Sequence, residues 1–206
     1  MNRRTGSALF AALLMVVRCA ASDDAQTTDV KMQEAEIELP ELRKLEFGRD
    51  FVLTNQDGNQ FDTATLRGKV IYLFFGYTTC PDACPMTLSK LARVHDLLGN
   101  QGERVQTVYV SVDPERDTVE KLKEYLDYYS LPVVGLTGTP EEVKSVAGDF
   151  GVFYARSEEE TAAGYLVDHS TMVYVIDHNG TLRYLSYPDD SAEMVAALTR
   201  KILAEG

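Results

Sequence analysis

From residue 51 onward the apolar positions follow two alternating periods. Val70-Ile-Tyr-Leu-Phe-Phe75 is an unbroken apolar run of strand length, the pattern of a strand covered on both faces. Val105-Gln-Thr-Val-Tyr-Val-Ser-Val112 predicts a second central strand and Val133-Val-Gly-Leu136 a shorter third. Between them the period changes. Met86 to Leu98 carries Leu88, Leu91, Val94 and Leu98 on one stripe at helical spacing. Thr118 to Tyr129 predicts a second helix, capped by Asp117 or Thr118. Thr139-Pro140-Glu141-Glu142 opens a third, with a capping hydroxyl, proline in the first turn and two acids facing the helix dipole. That helix stops near Gly151.

Hairpins bracket these units. Phe51–Thr54 and Gln60-Phe61 are joined across Asp57-Gly58, a turn pair suited to tight hairpins. Ser170–Ile176 and Thr181–Ser186 are joined across Asp177-His-Asn-Gly180, and Ser191 to Leu203 is a closing helix. Residues 155–166 predict an inserted loop or hairpin, with Glu158-Glu159-Glu160 as a solvated tip or a docking point for a partner. The order ββ, β-loop-α, βα, βα, ββ, α is a thioredoxin-like α/β layout. It implies a central mixed sheet flanked by helices, with an N-terminal β-hairpin extension, over residues 47–206.

The chain before it has a different texture. Residues 22–46 are polar and acidic with little periodicity, which predicts a flexible tether. Residues 1–21 have the form of an export signal. Asn2-Arg3-Arg4 is the positive start, and Ala8 to Val17 is an apolar core of ten residues. That is half the roughly twenty needed to span a bilayer. Val16-Val17-Arg18-Cys19 resembles a lipoprotein box, although Arg18 stands where a small residue is expected. Cys19 is therefore a lipidation candidate. Simple cleavage after Ala21 and an uncleaved short anchor are the alternatives. All three place the protein in the periplasm or on the outer face of the cytoplasmic membrane. Membrane contact is then made only through such a lipid or anchor.

Length and charge narrow the function. At 206 residues the chain is one domain plus extensions. The formal charge is −12, and removal of residues 1–21 takes away three arginines and no acids, leaving −15. A direct nucleic-acid role does not fit that sign.

The chemistry centres on Cys80-Pro-Asp-Ala-Cys84, directly after the first apolar run. The layout puts this pair between a central strand and the N-terminus of its helix. Unpaired N–H groups and the dipole there favour thiolate over thiol. Pro85 suits the first helical position, where its missing N–H costs nothing. Three readings stand together: a stabilising disulfide, a redox dithiol and a metal site. A bridge closing so short a loop removes little chain entropy, which disfavours the first. Two thiolates and one imidazole suffice to hold Cu(I). Outside the cytosol paired thiols oxidise unless reduced or metallated, so a thiol reductant is implied as a partner.

There are three histidines. His95 lies eleven residues past Cys84, about 16 Å along a helix, and reads as a helix-surface residue. His178 sits in the distal turn, roughly 20 Å or more from the start of the strand, and reads as solvated. His169 precedes that strand in Asp168-His169-Ser170, on the loop that faces the cysteines in this layout. The residues alone leave open whether it is a ligand or an ordinary strand-entrance histidine. General oxidoreductases of this fold carry a proline just before that strand; Asp168 to Met172 has none. Peroxidases of this fold carry Pro and Thr where this chain has Leu73 and Tyr77. Asp168 is a candidate to orient His169 or to cap the loop. Asp113 with Arg116 is a candidate structural pair near the site. Tyr77 either shields a metal or packs.

Four motifs in this order carry a specific resemblance: Phe74 to Met86 (FFGYTTCPDACPM), Ser111 to Thr118 (SVDPERDT), Gly135 to Thr139 (GLTGT) and Val167 to Thr171 (VDHST). The chain resembles the SCO/SenC copper-chaperone family over about residues 48–203. The resemblance implies copper bound by Cys80, Cys84 and His169; the soft thiolates favour Cu(I), and Cu(II) with an added water or other ligand is the second expectation. It further implies service to the copper-site subunit of cytochrome c oxidase, with another copper donor upstream. A reductase of that subunit's cysteines and a redox or copper sensor are the alternative roles.

Overall fold

In the computed structural model, residues 39–46, 48–161 and 164–206 are described. Two parallel strands, β3 (Val70–Gly76) and β4 (Val105–Ser111), form the centre of a seven-stranded sheet. All seven β3 residues are buried, as an unbroken apolar run requires. They pair from Val70↔Val105 to Gly76↔Ser111, so both strands end level, and the loops after them open at the same edge. β5 (Val133–Thr137) continues the sheet parallel to β4. On the other side β8 (Val173–Ile176) and β9 (Leu182–Ser186) run antiparallel.

The first hairpin, β1 (Val52–Asn55) and β2 (Gln60–Asp62), is the opposite sheet edge rather than an appendage. β1 pairs antiparallel with β5 through Thr54↔Thr137 and Asn55↔Leu136. Gly58 turns it at a φ of 79°, in the left-handed region that favours glycine.

Helices α1 (Ala83–Leu98) and α4 (Ala192–Ala204) pack together. α2 (Val119–Asp127) packs on β5, where a Cβ on Gly135 would come within 2.3 Å of Leu126. α3 (Pro140–Asp149) has the capping box its sequence predicts, with Thr139 and Glu142 exchanging side-chain and backbone bonds. α2 is capped by the Thr118 hydroxyl, which accepts from the Lys121 N–H at 3.3 Å. The Asp117 carboxylate is thereby free for another task.

Four placements differ from the sequence pattern. α1 begins at Ala83, so Cys84 lies on the helix and Pro85 is its third residue. Proline is tolerated there because the first-turn N–H groups have no intrahelical acceptor. Residues 40–45 run beside β9: the Leu45 N–H donates to the Leu182 carbonyl at 2.9 Å, and Leu42 and Leu45 pack on the core. Two leucines in so short a segment make no detectable period. Residues 155–166 form a hairpin, one of the two forms predicted, as β6 (Tyr154–Thr161) and β7 (Gly164–His169) in a sheet of their own, but two placements within it differ. The acidic run therefore lies within β6, and His169 ends one strand instead of opening the next. Finally, His95 is buried, not on the helix surface. Its Nε2 lies 3.3 Å from the Thr107 hydroxyl and its ring stands edge-on to Tyr72. Among the described residues no helix is long and apolar enough to cross a membrane.

Candidate metal centre

Three segments meet at the edge where β3 and β4 end. The loop after β3 brings Cys80, the first turn of α1 brings Cys84, and the end of β7 brings His169. The Cys80 N–H donates to the Tyr77 carbonyl at 3.2 Å, which folds the loop back on itself. Asp82 precedes α1 without a side-chain cap. The Cys84 N–H points instead at Cys80 Sγ, 3.5 Å away, so the helix end faces a sulfur. Cys84 Sγ lies 3.6 Å from His169 Nε2, and the three donor atoms fall within 4.8 Å of one another. Both cysteines are free thiols, Cys84 buried and Cys80 half-buried.

His169 is oriented by its neighbours. Its ring stands edge-on to Tyr77 and Phe74, with centroids 5.6 and 6.1 Å away. Nδ1 lies 3.0 Å from the Ser170 carbonyl oxygen. A carbonyl can only accept, so Nδ1 carries the proton and Nε2 turns its lone pair toward the sulfurs.

The two sulfurs differ in kind. A hydrogen bond from Cys84 holds the Cys80 thiol far below its ordinary range, against the opposing effect of burial, with help from the backbone N–H groups of Asp82 and Cys84. The same bond and burial push the Cys84 thiol up. The two thiols therefore titrate as a pair, and this arrangement favours the thiolate on Cys80 over that on Cys84.

Around this cluster sits a polar frame. Asp117 is fully buried and accepts from the Thr78 N–H at 2.9 Å, the Thr78 hydroxyl at 2.6 Å and the Ser111 hydroxyl at 2.7 Å. It fastens the cysteine loop to the end of β4. Burial raises its pKa, and these donors partly counter that rise. Asp113 is bonded to Arg116 Nε, and the Tyr165 hydroxyl donates to it at 2.7 Å. Arg116 also donates to the Tyr165 carbonyl at 2.8 Å and stacks 3.6 Å from that ring. This couples the β6–β7 hairpin to the sheet. The Tyr77 hydroxyl accepts from the Val167 N–H at 3.2 Å. Tyr109 is wholly buried and its hydroxyl makes no hydrogen bond of ordinary geometry.

Cys80, Cys84 and His169 are therefore brought together, and Tyr77 packs against them. Asp113 and Arg116 pair as expected but serve the hairpin, not the sulfurs. Asp168 is exposed, opposite Ala155, and the carbonyl of Ser170 takes the orienting role considered for it. His178 is half-buried in the distal turn, 2.9 Å from the Asn179 amide. Cys19 lies outside the described residues. Asp117, Phe74 and Tyr109 were not singled out as site residues by the sequence. For Asp117 a signal existed: Thr118 is itself a sufficient cap, which leaves the preceding carboxylate unexplained.

The chain is similar to known proteins over most of its length. The family model described as SCO1/SenC matches residues 40–204. An SCO2-like protein of Rickettsia prowazekii is 37% identical over 156 residues, 75% of this chain and 76% of that one. The mitochondrial SCO1 homolog 1 of Arabidopsis thaliana is 45% identical over 138 residues, 66% of this chain and 41% of that protein. The crystal structure of Arabidopsis ScoI with copper bound superposes with a TM-score of 0.72 at 37% identity, covering 78% of this chain and 99% of that one. With the thioredoxin-like fold and the motifs that carry the cysteine and histidine residues all in place, the chain belongs to the SCO1/SenC family.

Proposed function

We propose that this protein binds copper through Cys80, Cys84 and His169 and delivers it to the copper site of cytochrome c oxidase. The observation that carries the reading is the cluster itself: two sulfurs and one correctly oriented imidazole within 4.8 Å. Soft sulfur ligands select Cu(I), and three ligands leave a position open for a recipient's donor. A structural zinc site takes four protein ligands, and among the described residues the cluster offers three. Cu(II) would be completed by a water or another added ligand. The oxidase copper-site subunit is the recipient, a thiol reductant keeps the pair open, and a separate donor supplies the metal. The export signal belongs to the same reading. It would place the protein outside the cytoplasm, with the polar stretch that begins at residue 22 as its tether and Cys19 as a candidate lipid attachment point, simple cleavage after Ala21 being the alternative.

A second reading rests on the contrast between the sulfurs. A half-buried thiolate beside a buried thiol is the arrangement of a dithiol reductase. Cys80 would attack a substrate disulfide, and Cys84 would then displace the reduced substrate, leaving a Cys80–Cys84 bridge. His169 is dispensable for that sequence and necessary for a three-ligand site. Copper affinity of His169→Ala, measured anaerobically against a competing chelator, separates them. A loss of 100-fold or more is expected; unchanged affinity removes the three-ligand site. Full oxidase assembly by the same variant would favour the reductase.

A further inference from the structure

The buried Tyr109 hydroxyl is the anomaly of this centre. Tyr109 is inaccessible to solvent, and its oxygen makes no hydrogen bond of ordinary geometry, although the Cys84 sulfur lies close enough to act on it. Buried polar groups are almost always paired, because leaving one unpaired forfeits its bonds to water. Its position supplies a reason. A Cβ at Gly76 would lie 2.7 Å from Cys84 Sγ and 2.8 Å from the Tyr109 oxygen. The sulfur and the hydroxyl therefore flank one small gap, kept open by the absence of a side chain on the last residue of β3. The Tyr109 ring is fixed between Phe74 at 5.9 Å and Tyr125 at 6.0 Å, so the hydroxyl stays aimed at that gap.

We propose that Tyr109 is a positioning residue for the metal: its hydroxyl donates to Cys84 Sγ when Cys84 ligates as a thiolate. This rests on the copper reading given above. A neutral thiol is only a weak hydrogen-bond acceptor. Coordination requires the thiolate, a charged and much stronger acceptor. The unpaired hydroxyl then gains its missing partner, and that gain adds to copper affinity. Groups that hydrogen-bond to metal ligands commonly change affinity 10- to 100-fold when removed.

The test compares wild type with Tyr109→Phe, which removes one oxygen and keeps the ring, and with Tyr125→Phe as control. The Tyr125 hydroxyl already has a partner, accepting from Tyr129 at 3.2 Å, so its removal tests the loss of a neighbouring hydroxyl that is not the proposed donor. Cu(I) affinity is measured by chelator competition, and the sulfur-to-copper charge-transfer band is recorded on Cu(II). Tyr109→Phe is expected to lose about 10-fold or more in affinity. Its band moves to longer wavelength, because a sulfur without a donor gives up its electrons more easily. Tyr125→Phe changes neither. Thermal melting of the metal-free variants checks folding, and Tyr109→Phe should melt at or above the wild-type temperature, since the hydroxyl it loses is unpaired. A folded Tyr109→Phe with wild-type affinity and band position overturns the proposal and leaves the copper reading intact. Wild-type protein that binds no copper overturns both.

Discussion

The sulfur side and the imidazole side of the centre are built differently. Cys80 and Cys84 sit on a loop and a helix end that are fastened into the main sheet. Asp117 alone contributes three bonds to that anchorage, and α1 is packed along its length. His169 stands at the end of a two-stranded hairpin outside that sheet. It is held by one carbonyl and two ring edges, and its hairpin by Arg116, by the Tyr165 hydroxyl on Asp113 and by the Val167 N–H on Tyr77. Such a ligand set has a fixed jaw and a lighter one. In the copper-delivery reading proposed above, the lighter jaw is the side from which the metal would be released.

The contrast can be broken most severely at Asp117. Asp117→Ala leaves the buried Ser111 hydroxyl and the Thr78 groups without their acceptor, and about 3 kcal/mol of stability should be lost. Urea unfolding measures it; a loss under about 1 kcal/mol would mean that the sulfur loop is held by other means. Arg116→Ala should act on the other jaw, costing about 1–2 kcal/mol through the lost charged bonds and stacking. The distinguishing measurement is amide hydrogen exchange. β7 should exchange faster while β3 does not change, and equal acceleration of both would erase the distinction between the two sides.

The smallest effect belongs to the far end of α1. Burial lowers the His95 pKa, so the folded protein resists protonating a residue that the unfolded chain protonates readily. His95 therefore contributes stability that is present above the ordinary histidine value of about 6.5 and is lost as pH falls toward its depressed folded value. The slope cannot exceed about 1.4 kcal/mol per pH unit. His95→Gln should flatten this part of the pH–stability curve without touching copper binding. An unchanged curve would assign the acid sensitivity elsewhere.

The legible parts of this molecule are those written in local pattern. The apolar run of β3, the stripe on α1 and the capping box of α3 are short-range signals, and each became the element it predicts. The two cysteines and His169 were legible through residue chemistry and through the four motifs. What could not be read depends on distance in space. The bond from Asp117 to Thr78 joins residues 39 apart in sequence, and no periodicity records it. Tyr109 looks like any other apolar strand residue until Gly76 and Cys84 are seen beside it. His95 reads as a surface residue because a helix interval measures reach to Cys84 but says nothing of which face meets Thr107.

The start of α1 at Ala83 has one further consequence. One cysteine rides on the helix and the other does not, so the spacer between them sets an angle as well as a length. Each helical residue turns the chain by about 100°. A single residue inserted between Cys84 and Pro85, with the stripe of Leu88, Leu91 and Val94 still locked in the core, would rotate the Cys84 sulfur a quarter turn away from Cys80. The centre is in this sense a phase relation, which a one-residue slip can cancel without altering the identity of any ligand.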